Sequence, residues 1–230
     1  MNREVTGDRD EVAPKSAART SSRLVVAGLA CRRGERILFS HFDLDLQAGE
    51  LVWLRAANGY GKTTLLRVLA GLTQPEAGTV AWKSDNFPAR DGSPLVYLAH
   101  ANALKDDLTV TESVRHLVSL HGLSASEAAI TASIRRFGLH SRHNAPIRTL
   151  SQGQRRRVAL TRLCLSDPQA TWMLDEPYDA LDAEGVALVS TLLADHAARG
   201  GNALFTSHVP PTLADGTWRT VQLDATMAPA

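Results

Sequence analysis

Cysteine is scarce in this 230-residue chain: Cys31 and Cys164 are the only two. Their separation draws neither a disulfide framework nor a metal-binding spacing. A reducing compartment, the cytosol, is therefore expected. No run of about 18 apolar residues occurs, so no membrane-crossing helix is predicted. An excess of charge is also missing, with 25 basic residues against 24 acidic ones. This balance removes any global case for nucleic acid as a partner. A local basic cluster such as Arg155, Arg156 and Arg157 could still serve a partner, although a solvated helix face is the commoner reading of such a run. Residues 1–22, MNREVTGDRDEVAPKSAARTSS, lack the apolar core of an export signal. They are expected to be a disordered N-terminal extension. No internal repeat is found.

The remaining composition is that of a globular protein, long enough for one large domain or a domain with a subdomain. Residues 23–29 and 36–46 carry β-branched or alternating apolar positions, with Phe42, Leu44 and Leu46 on one face, and read as strands. A turn at 48–50 leads into the apolar run 51–54. Residues 79–83 read as an edge strand and 95–99 as a buried one, with a polar loop containing Pro88, Gly92 and Pro94 between them. The pattern then turns helical for about 50 residues, predicting a helical subdomain over about 101–165. Within it Thr111 is expected to cap one helix. Ser124 with Glu127 forms a capping-box pattern for a second, and Ser151 is placed to cap a third, running from 155 to 165. Residues 171–174 and 203–206 read as strands separated by a helix after Asp182, and 218–223 as a last strand. The whole reads as an α/β fold.

The stretch from Ala56 to Thr64, AANGYGKTT, joins the strand at 51–54 to an apolar helix. Glycines at the mouth of a helix let backbone N–H groups approach an oligophosphate, whose charge the helix dipole favours. Residues Ala56, Ala57, Asn58, Gly59, Tyr60, Gly61, Lys62, Thr63 and Thr64 are thus the expected nucleotide-binding loop. Lys62 would reach the β and γ phosphates, and the Thr63 hydroxyl would hold magnesium. The pattern asks for glycine where this chain has Ala56. A methyl group there costs about 1–2 kcal/mol if φ is positive and little otherwise.

Asp175 and Glu176 end the strand at 171–174, where acidic side chains of an α/β sheet face the ligand crevice. Asp175 is expected to serve the magnesium ion and Glu176 to act as general base or water orienter. Taken singly, such a pair is commonly a strand-end acid satisfied by a helix N-terminus. His208, after the ALFTS strand, would contact the γ phosphate. The segment from Leu150 to Gln154, LSQGQ, reads as a simple helix cap or as a second anion site at a helix N-terminus.

In this order the motifs resemble the ATP-binding cassette (ABC) family over nearly all of the chain from residue 23 onward. The resemblance implies a P-loop ATPase core with an antiparallel strand portion and an inserted helical subdomain. It identifies Lys62 and Thr63 with the Walker A loop, Leu150 to Gln154 with the signature, and Asp175 and Glu176 with Walker B. Asp182 matches the D-loop and His208 the switch histidine. It also implies a second copy of the chain, whose Ser151, Gly153, Gln154 and Asp182 would face ATP held by the first. The chain departs from the family where a glutamine is usual, having Ala101, and where an aromatic stacks on adenine, having Arg33 nearby. A guanidinium can stack on a flat ring.

Within the family, RRGERILFS, YLAHANALKDDLT, QRRRVALTRL and WMLDEPYDALDAEGV resemble the ATP-binding subunits of the haem exporter of cytochrome c maturation. That likeness implies an ATPase using ATP and Mg2+, peripheral on the cytoplasmic face of a bacterial inner membrane and bound to a multispanning subunit. A nucleotide-binding regulatory module with weak hydrolysis, or an exporter ATPase for another cargo, is the alternative. His100, His116, His121, His140 and His143 are scattered, and no direct haem binding by this chain is expected.

Overall fold

The computed structural model describes residues 22–84, 95–214 and 216–224. Residues 1–21 of the expected extension and the polar loop with Pro88, Gly92 and Pro94 lie outside them. Ser22 already belongs to a strand.

Strands β1 (Ser22–Arg33) and β2 (Arg36–Leu46) pair antiparallel, with Arg33 opposite Arg36 across a tight turn. From Phe42 onward β2 alternates buried and accessible residues, which is the signature of a strand with one face on a core. Next come β3 (Leu51–Arg55), helix α1 (Lys62–Leu69) and β4 (Ala77–Ser84). As expected, β4 is an edge strand, in a three-stranded sheet of order β2-β1-β4.

Strand β5 (Leu95–Leu98) is followed by α2 (Val110–Leu120), α3 (Glu127–Arg136) and α4 (Gln152–Leu160) before the chain returns to the sheet as β6 (Thr171–Leu174). Short 3-10 turns at His140–Arg142, Ile147–Thr149 and Thr161–Leu165 join these helices and end them. The last elements are α5 (Ala183–Ala198), β7 (Asn202–Thr206) and β8 (Arg219–Gln222). Parallel pairing gives a five-stranded sheet of order β5-β6-β7-β3-β8.

Three of the expected helix starts shift. Helix α2 is capped by Thr109, not Thr111: its hydroxyl accepts from the Glu112 N–H, and the Glu112 carboxylate accepts from the Thr109 N–H at 2.8 Å. Helix α3 is capped by Ser126 rather than Ser124, because Glu127 is engaged by the Arg115 guanidinium at 2.8 and 2.6 Å. The expected third helix starts earlier, at Gln152, and tightens to a 3-10 turn after Leu160.

The central strands separate two cores by their period of two. Leu51 and Trp53, Trp172 and Leu174, and Ala203 and Phe205 face the helical side. Val52 and Leu54, Met173, and Leu204 face the opposite core, which α1 shares with β1 and β2. Strands buried on both faces read as near-continuous apolar runs, and β3, β6 and β7 do so. This sandwiching fixes the height at which their carboxyl ends emerge.

Candidate functional site

Neighbouring strands β6, β7 and β3 all point the same way. The residues following them therefore converge at one edge of the sheet, as open α/β sheets require of their ligand crevices. A cavity of about 300 Å³ opens there, lined by Arg33, Asn58, Gly59, Gly61, Lys62, Thr63, Thr64, Asp175, Glu176 and His208. Leu38 and His100 also line it, neither of them anticipated as site residues. Ala56, Ala57 and Tyr60 do not line this cavity, nor do Ser151, Gly153, Gln154 and Asp182.

The mouth of α1 is prepared for an anion. Gly61 takes the N-cap position with φ 93° and supplies no side-chain acceptor, and the first turn carries no acidic residue. The first amides of the helix are left to a ligand, and the dipole favours negative charge there. Gly59 is left-handed as well, at φ 81°. Gly61 is doubly constrained, since a Cβ would also stand 3.1 Å from Leu38 Cβ and 3.2 Å from the Phe39 ring. Ala56 is not among the non-glycine residues with positive φ, so its methyl group falls in the inexpensive case. The Lys62 ammonium donates to the Ala56 carbonyl at 2.9 Å, a contact an arriving phosphate could replace.

Asp175 is 2% exposed. Its carboxylate accepts from the hydroxyls of Thr63 at 2.7 Å and Thr206 at 3.0 Å. The Thr63 and Asp175 oxygens form a hard pair at the cavity wall, the donor set suited to magnesium when substrate phosphates and water complete the shell. Among the described residues no three His, Cys, Asp or Glu side chains gather as a metal site, so the residues fit such a shared ion and not a dedicated cage.

Glu176 holds a left-handed backbone, φ 50°, a conformation costing a non-glycine residue about 1–2 kcal/mol. Its N–H donates to Thr206 Oγ1 at 2.8 Å, and its Oε2 accepts from the His208 N–H at 3.1 Å. Oε1 is buried without a hydrogen-bond partner, 3.6 Å from His208 Nε2. An unsatisfied carboxylate oxygen on a cavity wall is poised to accept a proton or a water. The turn carrying His208 is steadied by the Trp53 indole, which donates to the Ser207 carbonyl at 3.2 Å.

The signature stretch lies apart and is occupied within its own chain. Ser151 and Gln154 form a reciprocal capping box on α4. A Cβ on Gly153 would come within 2.6 Å of the Ala180 carbonyl, so its lack of side chain serves packing here. Asp182 caps α5 through the Gly185 N–H and accepts from Arg157 at 2.6 Å. These contacts hold its carboxyl below the usual range, the Gly185 N–H most and Arg157 next.

The solvated-face reading of the basic run is overturned. Arg156 is 2% exposed, and burial lowers its pKa against the pull of Asp179, Asp175 and Glu176. Its guanidinium donates to backbone carbonyls on both sides of the Glu176 peptide and to the segment after β5. Arg157 is mostly covered and Arg155 pairs with Asp106 at 3.1 Å. A signal for Arg156 was present: on a helix it shares a face with Ala159 and Leu160, three and four residues on, and both are buried.

The ABC transporter family profile matches residues 39–179. The chain is 47% identical over 188 residues to the cytochrome c biogenesis ATP-binding export protein CcmA of Methylococcus capsulatus, covering 80% of this chain and 90% of the relative. It is 42% identical over 206 residues to the CcmA of Aromatoleum aromaticum, covering 86% and 96%. Among solved structures it resembles an ABC transporter ATP-binding protein from Pyrococcus furiosus, with a TM-score of 0.72 at 20% identity, over 87% of this chain and 97% of the other. That likeness carries the fold. With the profile and the relatives, it follows that the chain belongs to the ABC transporter family, as an ATP-binding, ATP-hydrolysing member.

Proposed function

We propose that this chain is the motor subunit of a membrane exporter serving c-type cytochrome biogenesis, turning over MgATP at the cavity beside α1. The observation that carries the reading is the convergence of Lys62, Thr63, Asp175, Glu176 and His208 on one cavity. In this reading the α1 amides and Lys62 hold the phosphates, Thr63 and Asp175 hold magnesium, and Arg33 lies against the base. Magnesium, when bound, would act as a Lewis acid and offset the charge of the phosphates. Glu176 Oε1 takes the proton of the attacking water, which His208 Nε2 orients against the γ phosphate, and the bond from the γ phosphorus to the β–γ bridging oxygen breaks as ADP leaves. A second copy supplies Ser151, Gly153, Gln154 and Asp182 across the nucleotide.

The names of the CcmA relatives support the cargo pathway. In this reading the chain sits peripherally on the cytoplasmic face of a bacterial inner membrane, bound to a multispanning subunit that carries the haem path, with the helical subdomain, about residues 101–165, beside it. No helix among the described residues is long and apolar enough to cross a membrane.

The test is magnesium-dependent ATP hydrolysis by the membrane complex together with c-type cytochrome formation in cells lacking their own such subunit. Glu176→Gln is expected to lower turnover by about 10²–10⁴-fold and to abolish cytochrome formation. Full turnover in that variant would remove Glu176 from the chemistry. ATP turnover without restored cytochromes would point to a different cargo.

A further inference from the structure

The Arg156 side chain hydrogen-bonds both to the backbone of Glu176 and to the segment leaving β5. Its Nη2 donates to the carbonyls of Asp175 at 2.8 Å and Glu176 at 2.7 Å. Its Nη1 donates to the Ala99 carbonyl at 3.0 Å, the His100 carbonyl at 3.4 Å and Asn102 Oδ1 at 2.9 Å. Strands β5 and β6 are paired in register, Leu98 opposite Leu174, so the two exits run side by side and α4 spans them with this guanidinium. Left-handed non-glycine residues stand in or beside both sets of acceptors, Glu176 at φ 50° and Ala103 at φ 53°. Backbone so strained persists only where its surroundings hold it. On the N–H side, Glu176 is held by Thr206; on the carbonyl side it accepts from Arg156 at 2.7 Å and from the Asp179 N–H at 3.1 Å, and only Arg156 of these two ties it to the segment after β5. Arg156 itself does not line the cavity.

We infer that Arg156 is a positioning residue: its planar fork fixes the Glu176 peptide against the 99–102 segment, so that a displacement of that segment or of α4 re-aims the Glu176 carboxylate. Ala101 has no polar side chain with which to make such a link, and the link runs through the neighbouring carbonyls and Asn102 instead. Lysine cannot replace it, because a single ammonium lacks the two separated donor pairs that reach both segments at once. The inference rests on the reading of Glu176 as the base.

The experiment compares ATP hydrolysis and binding of a non-hydrolysable ATP analogue in the full-length protein within its membrane complex, for Arg156→Lys, Asn102→Leu, Asn102→Asp and Glu176→Gln. Arg156→Lys is expected to lower kcat about 30-fold or more while KM and analogue affinity stay within about twofold, the pattern of a misaimed reacting group. Asn102→Leu should lower kcat about threefold, and Asn102→Asp should restore it because a carboxylate still accepts from Nη1. A kcat for Arg156→Lys within twofold of the parent, or a loss shared equally by analogue binding, overturns the inference. Should Arg156→Lys fail to fold, equal rates for the two Asn102 variants overturn it. Retained turnover in Glu176→Gln overturns the underlying assignment of the base. Lost turnover there with an active Arg156→Lys overturns the positioning role alone.

Discussion

At position 56 the phosphate loop tolerates a methyl group because the backbone there does not have positive φ. Ala56→Gly should leave ATP affinity within about twofold and lower stability by less than about 1 kcal/mol, through the freer unfolded chain. Gly61→Ala is the contrasting case. At φ 93°, with Leu38 and Phe39 3.1–3.2 Å from the added carbon, it should cost about 2–4 kcal/mol in chemical unfolding and abolish analogue binding. Equal behaviour of the two variants would mean that the loop's shape is not what the glycines secure. This loop was legible in the sequence because its chemistry is local: a strand, glycines, a lysine and a threonine in one run. For Arg156 only its inward direction was legible, from the face it shares with Ala159 and Leu160; its role was not, because its acceptors come from two other strand exits.

Among the elements, the same contrast recurs at helix ends. The Thr109 and Glu112 box was present in the sequence, yet the expected caps were Thr111 for the first helix and Ser124 for the second. The choice was made by contacts between elements, notably Arg115 of α2 with Glu127 of α3. Helix α5 carries a second such feature. His196 is fully buried, stacked on Trp172 at 3.7 Å with Nε2 2.7 Å from the Ala170 carbonyl. Burial pushes its pKa down to about 4, whereas the unfolded chain protonates near 6.5. The unfolded state therefore binds the extra proton first as pH falls. Stability from this group is full above about pH 6.5 and drains between 6.5 and 4, by about 3 kcal/mol at most. Urea unfolding at pH 7 and pH 4.5 should show that loss, and His196→Gln should reduce the slope by about one proton. An unchanged slope would place the acid sensitivity elsewhere. Gly201→Ala should destabilise by about 1–3 kcal/mol, since its Cβ would fall on the His196 ring.

For the whole molecule, the order of strands brings together what the sequence scatters, and the proposed partner copy is where in-chain geometry must be separated from function. Ser151 caps α4, Gly153 packs on Ala180 and Asp182 caps α5. Truncating any of them disturbs its own chain, so lost activity in a single variant says nothing about a neighbour. Ser151→Asp avoids this, because aspartate caps a helix as well as serine does while its charge opposes a phosphate. Paired with Lys62→Ala it gives a decisive complementation. Each variant alone should be inactive. In an equimolar mixture, if the signature of one copy serves ATP on the other, half of the pairs are mixed and each keeps one intact site. Turnover should then recover to about a quarter of the parent's for independent sites in a twofold pair. If the signature serves its own chain, every site carries one lesion and mixing restores nothing. Recovery would place Ser151 across the interface, and a flat result would confine it to its capping role on α4.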